Sequence, residues 1–174
     1  MQDLVKLIRK DPNYQKFLKI VENIRTKIDL DATLNEALSL HASRTSRNLH
    51  GEDRYSPKTL IDANLKDLSY RARLVELRVK LDISLVTLEE ALDAMKRHIS
   101  TEYYEDLKDF STADQRKAFV IRVVKNSNQF LQDGKGLIET LDHLIKDIDS
   151  ASHCMRHVLQ ALELASGAKG NSVI

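Results

Sequence analysis

Leu137, Leu141, Leu144, Ile148, Ala151, Met155, Val158, Leu162 and Ala165 follow one another at alternating spacings of four and three. That rhythm repeats every seven residues, close to two helical turns, and puts all nine side chains along one stripe of a helix. Strand pleating has a period of two and would scatter them over both faces. The last third of the chain is therefore expected as one long helix with a coiled-coil-like seam. Leu137, Leu141, Leu144, Ile148, Met155, Val158 and Leu162 are its oligomer or core positions. Two alanines, Ala151 and Ala165, let another helix come close.

The rest of the chain is consistent with that start. Two prolines and five glycines in 174 residues leave few breaks in a helical ladder, and four phenylalanines, five tyrosines and no tryptophan leave little to build a sheet. Asp11-Pro12 reads as an N-cap followed by a first-turn proline, whose missing N–H costs nothing there. A short helix is expected from about Asp3 to Lys10 before it. After it, Phe17, Val21, Ile24 and Ile28 share one face. A further helical stretch starts near Asp29 or Asp31 and carries Leu34, Ala37, Leu38 and His41.

Between His41 and Pro57 the apolar rhythm stops, and a frayed helix end and a loop are expected. Ser56-Pro57 opens the longest helix, to about Ile99. It carries two seams: Ile61, Leu65, Leu68, Ala72, Val75 and Val79, then Leu74, Leu81, Leu85, Leu88, Leu92, Met95 and Ile99. A seam that changes face fits a helix that meets different neighbours along its length. "FSTADQRKAF" holds a helix start, with Ser111 or Thr112 as N-cap, and the new helix carries Phe119, Val120, Val123 and Val124. Gly134 and Gly136 mark a stop or hinge.

The expected fold is all-α, an elongated helical bundle with two long helices. One domain would span residues 1–166, and residues 167–174 would form a flexible tail. No apolar run approaches the roughly 18 residues of a membrane span. The N-terminal "MQDLVKLIRKD" lacks the apolar core of a signal peptide. With a single cysteine, Cys154, these features predict a cytoplasmic protein without a membrane partner.

Lysine and arginine total 27 against 26 aspartates and glutamates, which leaves no global field to steer polyanions. The charges are nonetheless blocked. Residues 41–80 carry nine basic and five acidic side chains, residues 81–114 three and nine, and residues 115–135 five and one. Blocks of this kind serve as solvated faces, as pairing surfaces between subunits, or as anion sites. In the last reading Arg44, Arg47, Arg54, Arg71, Arg73 and Arg78 form a nucleic-acid-binding surface, because guanidinium forks match phosphate oxygens. Tyr55 and Tyr70 would offer faces for stacked bases.

Catalytic chemistry has little to stand on. Asp149, His153 and His157 are spaced to share a helix face beside Cys154, with His143 upstream. Yet the pattern matches neither the H-E-x-x-H motif nor the E-x-x-H pairs of di-iron bundles. Cys154 and His153 are neighbours in sequence and point in different directions on a helix. "DGKG" lacks the spacing of a phosphate loop. No catalytic residue, metal ligand or cofactor is assigned.

From about Leu60 to Val124, "LVTLEEALDAMKRHIS" followed by "FSTADQRKAFV" resembles small all-helical accessory proteins of bacterial viruses, in particular the UvsY-type recombination mediators. The resemblance covers about a third of the chain and implies a viral, oligomeric helical protein of the host cytoplasm that binds single-stranded DNA and helps load a recombinase. The expected function is a non-enzymatic, self-associating accessory protein that binds single-stranded nucleic acid. The alternative is a structural or adaptor protein, a virion component or partner-binding bundle, with protein partners and no nucleic-acid affinity.

Overall fold

The structure, a computed structural model, describes the backbone of residues 2–170 and the side chains of residues 3–53 and 55–167. It is an all-α helical bundle. Among the described residues there is no strand. The helices are α1 (Gln2–Lys10), α2 (Pro12–Lys27), α3 (Leu30–Ala42), α4 (Pro57–Glu102), α5 (Tyr104–Leu107), α6 (Ala113–Val123) and α7 (Lys125–Gly170). Two 3₁₀ turns, Thr45–Asn48 and Gly51–Tyr55, occupy the segment expected as a loop. No described helix is long and apolar enough to cross a membrane.

The chain divides into two compact units. One comprises Met1–Leu30 with Lys80–Ile138, the other Asp31–Val79 with Glu139–Ile174. α4 and α7 each contribute a segment to both, and within each unit those segments pack on one another.

In the first unit α2 starts as its sequence dictates. The Asp11 carboxylate accepts a 2.6 Å bond from the Asn13 backbone N–H, with Pro12 at the first helical position. The Phe17, Val21, Ile24 and Ile28 face is buried. In the same unit Leu81, Leu85, Leu88, Leu92, Met95 and Ile99 of the second α4 seam are all buried as well. Each such side chain contributes roughly 1.5–3 kcal/mol when fully removed from water. After α5, Thr112 is the N-cap of α6 and accepts from the Gln115 N–H at 3.2 Å. Phe110 and Phe119 then close that corner with ring centroids 5.2 Å apart.

The structure corrects the glycine reading. α7 runs unbroken through Gly134 and Gly136, and the chain bends earlier, at Val124. Gly134 lies where α7 meets α4: a Cβ there would sit 2.7 Å from both Leu85 methyls. The glycine is a point of close helix approach, not a hinge. Helix α7 also continues past residue 166, and residues 171–174 of the expected tail lie outside the described residues.

In the second unit the first α4 seam is corrected as well. Ile61, Leu65, Leu68 and Val79 are 47%, 61%, 37% and 45% exposed. Ala72 is exposed too, and Val75 half-buried. The side of α4 that turns inward carries Leu60, Ala63, Asp67, Leu74 and Leu77. The cause is that α4 has two apolar stripes on opposite sides, and the one used for packing is interrupted by a charged residue. Leu60, Ala63 and Met155 form a cluster with Leu49, Leu159 and Leu162 against it. Along α7, Leu137 (in the first unit), Leu141, Ile148 and Met155 are buried, Leu144 and Leu162 half-buried, and Val158 exposed.

Candidate functional site

The arginines singled out from sequence lie in the second unit, and their partners define its polar architecture. Arg44 follows the end of α3 and is only 3% exposed. Its guanidinium bonds Asp147 of α7, and its Nε lies 3.7 Å from Asp67 of α4. Asp67 is fully buried and accepts from the Thr45 N–H at 2.8 Å, from the Ser46 N–H at 3.4 Å and from the Ser46 hydroxyl. A buried carboxylate is tolerable only with such partners. Asp67 thereby fixes the first 3₁₀ turn onto α4.

Asp147 gathers three donors. His41 Nε2 stands 2.7 Å from its Oδ2, Arg47 Nη2 3.1 Å from the same oxygen, and Arg44 bonds it directly. The hydrogen bond from His41 does most to hold Asp147 below the usual carboxylate range. Partial burial pushes the other way, and the charge and hydrogen bond of Arg44 add to the lowering.

Farther along α4 the pattern repeats on the surface. Arg71 donates Nε and Nη2 to the two oxygens of Asp149 at 2.6 and 3.1 Å. Arg73 bonds Glu36 of α3 at 2.7 Å and Glu76 at 3.0 Å. Arg78 bonds Asp142 at 3.2 Å. Five of the six sequence-selected arginines are thus engaged with carboxylates of their own unit; the Arg54 side chain lies outside the described residues. Tyr55 is exposed and Tyr70 half-buried. The arrangement is an internal ion-pair framework between α3, α4, α7 and the 3₁₀ segment. Asp67, Asp142 and Asp147 were not visible as partners from sequence, since each pairing spans 21 residues or more.

The histidine region does not assemble. Asp149 is engaged by Arg71, His153 contacts Arg156 at 3.0 Å, and His153, Cys154 and His157 are all exposed. Among the described residues no three His, Cys, Asp or Glu side chains converge as a metal site.

The first unit holds a second polar knot. The Asp11 carboxylate that caps α2 also takes 2.8 Å bonds from His98 Nε2 of α4 and from the Tyr103 hydroxyl. Burial pushes Asp11 up, but the bonds from His98, Tyr103 and the Asn13 backbone outweigh it and bring it down to about 2. Burial, then Asp11 itself, drive Tyr103 up to about 12. Beside the knot lies an apolar groove of about 310 Å³, lined by Phe17, Ile20, Ala91, Ala94 and Met95 with Asn13, Lys16 and His98.

Neither polar knot places a nucleophile beside a base, or a free cation cluster in a cleft. Apart from these knots, the exposed α4 stripe is an apolar row on a helix whose other side is buried. Compared with known proteins, the chain matches no family model, no curated protein and no solved structure.

Proposed function

We propose that this chain is a non-enzymatic structural or adaptor protein whose work is protein association. One observation carries the reading. Ile61, Leu65, Leu68, Ala72 and Val79 leave an apolar stripe in water on a helix whose opposite side already closes a core. Singly exposed apolar residues are ordinary, but a contiguous run of them on one face is what an interaction surface needs.

The same geometry favours this reading over single-stranded nucleic-acid binding. Arg44, Arg47, Arg71, Arg73 and Arg78 each already have a carboxylate of their own unit beside them, which offsets the charge that would draw a phosphate. The test pairs two measurements. Light scattering and a pull-down read association, and anisotropy of a labelled single-stranded oligonucleotide at low salt reads nucleic-acid affinity. Association with a silent oligonucleotide is the expected result. Binding that weakens steeply with salt would overturn it and restore the mediator-like reading, because phosphate contacts release counterions.

A further inference from the structure

We infer that the α4 stripe joins two copies of this chain in parallel, side by side over residues 61–79. The inference rests on the association reading above and names its partner. Ile61, Leu68 and Val75 recur every seven residues, and Leu65, Ala72 and Val79 fill the row between them. Two such rows are the pattern by which paired helices interlock knobs into holes. Exposed Lys58, in the first turn of α4, ends the second row towards the helix start.

Charge selects both the occupant and its direction. Asp62 and Glu76 border one side of the stripe, Arg71 and Arg78 the other. A two-fold axis parallel to the helix lays the basic border of each copy on the acidic border of the other, so one surface is complementary to itself. Arg71 then faces Glu76 of the second copy, in the flanking positions that set orientation in paired helices. Both ends of that contact have capacity. Arg71 bonds Asp149 through Nε and Nη2, and Nη1 takes no part in that pair. Glu76 accepts from Arg73 through Oε2 and is two-thirds exposed. The result is a chain of alternating charge, Arg73 to Glu76 to Arg71 to Asp149, crossing between copies. An antiparallel pairing would instead oppose Asp62 to Glu76 and Arg71 to itself within the stripe, whereas the like-charge contact of the parallel pairing, Lys58 with Lys58, falls at its open end.

The experiment uses the full chain. Sedimentation equilibrium over a wide dilution series should give a dimer, and Leu68→Glu and Ala72→Glu should each weaken it by about tenfold or more. Both positions lie outside the core, so the helical circular dichroism should be unchanged. On a Cys154→Ser background, Ile61→Cys alone and Val79→Cys alone should each cross-link to their own kind under mild oxidation. Cross-linking only when the two are mixed would overturn the parallel register. A dimer unaffected by both glutamates would overturn this surface while leaving the association reading intact. A wild-type monomer at every concentration would overturn the inference, and the association reading would then stand or fall on the pull-down alone.

Discussion

Arg71 of α4 and Asp149 of α7 form a two-pronged ion pair, with Nε and Nη2 each reaching one carboxylate oxygen at 2.6 and 3.1 Å. Both side chains are more than a third exposed. Fork geometry adds directionality, but water screens the charge and the energy remains small. A double-mutant cycle of Arg71→Ala and Asp149→Ala, read by urea unfolding, is expected to give a coupling of about 1 kcal/mol or less. Arg71→Lys should lose most of that coupling, because an ammonium cannot engage both oxygens. A coupling well above ~2 kcal/mol would mean the pair is desolvated.

The Arg44–Asp67 contact lies at the opposite limit. Both side chains are at most 3% exposed, and Asp67 also satisfies two backbone N–H groups of the 3₁₀ turn. Asp67→Ala removes the acceptor of the half-buried Thr45 and Ser46 N–H groups and leaves the buried Arg44 with Asp147 alone. The expected cost is about 1–3 kcal/mol, read as a lower urea midpoint. Adding Arg44→Leu to Asp67→Ala should cost more again, because Arg44 also holds Asp147. A double variant more stable than the Asp67→Ala single variant would show that the guanidinium left short of a partner, and not the lost turn bonds, carried the cost.

These two pairs show what sequence could and could not disclose. The individual helices were legible, because capping residues and four-three spacing act within a turn or two. Asp11, Thr112 and the Leu81–Ile99 row needed nothing from the rest of the chain. The inward side of α4 was not legible, because Ile61, Leu65, Leu68, Ala72, Val75 and Val79 form the cleaner apolar row. The row that packs contains Asp67. A buried aspartate looks polar until Thr45 and Ser46 are known to lie over it. The arginines were visible as residues, but their partners lie on other helices, so an internal framework and an anion surface read alike in one dimension. Gly134 had the same ambiguity, since a glycine in a helix reads as a break until Leu85 is placed against it.

Acid stability should report the Asp11 knot. Its folded pKa of about 2 lies below the 3.8 of an ordinary aspartate. Depression of this kind stabilises the fold above pH ~4 and is lost as pH falls from about 4 towards 2. The magnitude is on the order of 2 kcal/mol. Asp11→Asn should lower stability at neutral pH and flatten the acid limb of a stability-versus-pH curve across that window. Tyr103→Phe, which removes one of the three donors, should flatten it in part. An unchanged acid limb in the asparagine variant would show that other carboxylates govern it.

Gly134 and Gly136 make a matched comparison on one helix. In an exposed helix interior, Gly→Ala gains up to about 1 kcal/mol, because alanine gives up less backbone freedom on folding. Nothing lies within 4 Å of a Cβ at Gly136, so Gly136→Ala should raise the unfolding midpoint by that order. At Gly134 the new methyl meets both Leu85 methyls at 2.7 Å and Leu85 Cγ at 3.3 Å. Leu85 is 2% exposed, so its methyls have no solvent to move into. Overpacking of this kind costs about 1–3 kcal/mol, which outweighs the helical gain and reverses the sign. Gly134→Ala should therefore destabilise. Gly134→Ala should also be non-additive with Leu85→Ala: in that background the methyl enters the vacated space, and Gly134→Ala should become neutral or stabilising. Equal effects of Gly134→Ala in both backgrounds would mean that Leu85 does not set the approach of α7 to α4.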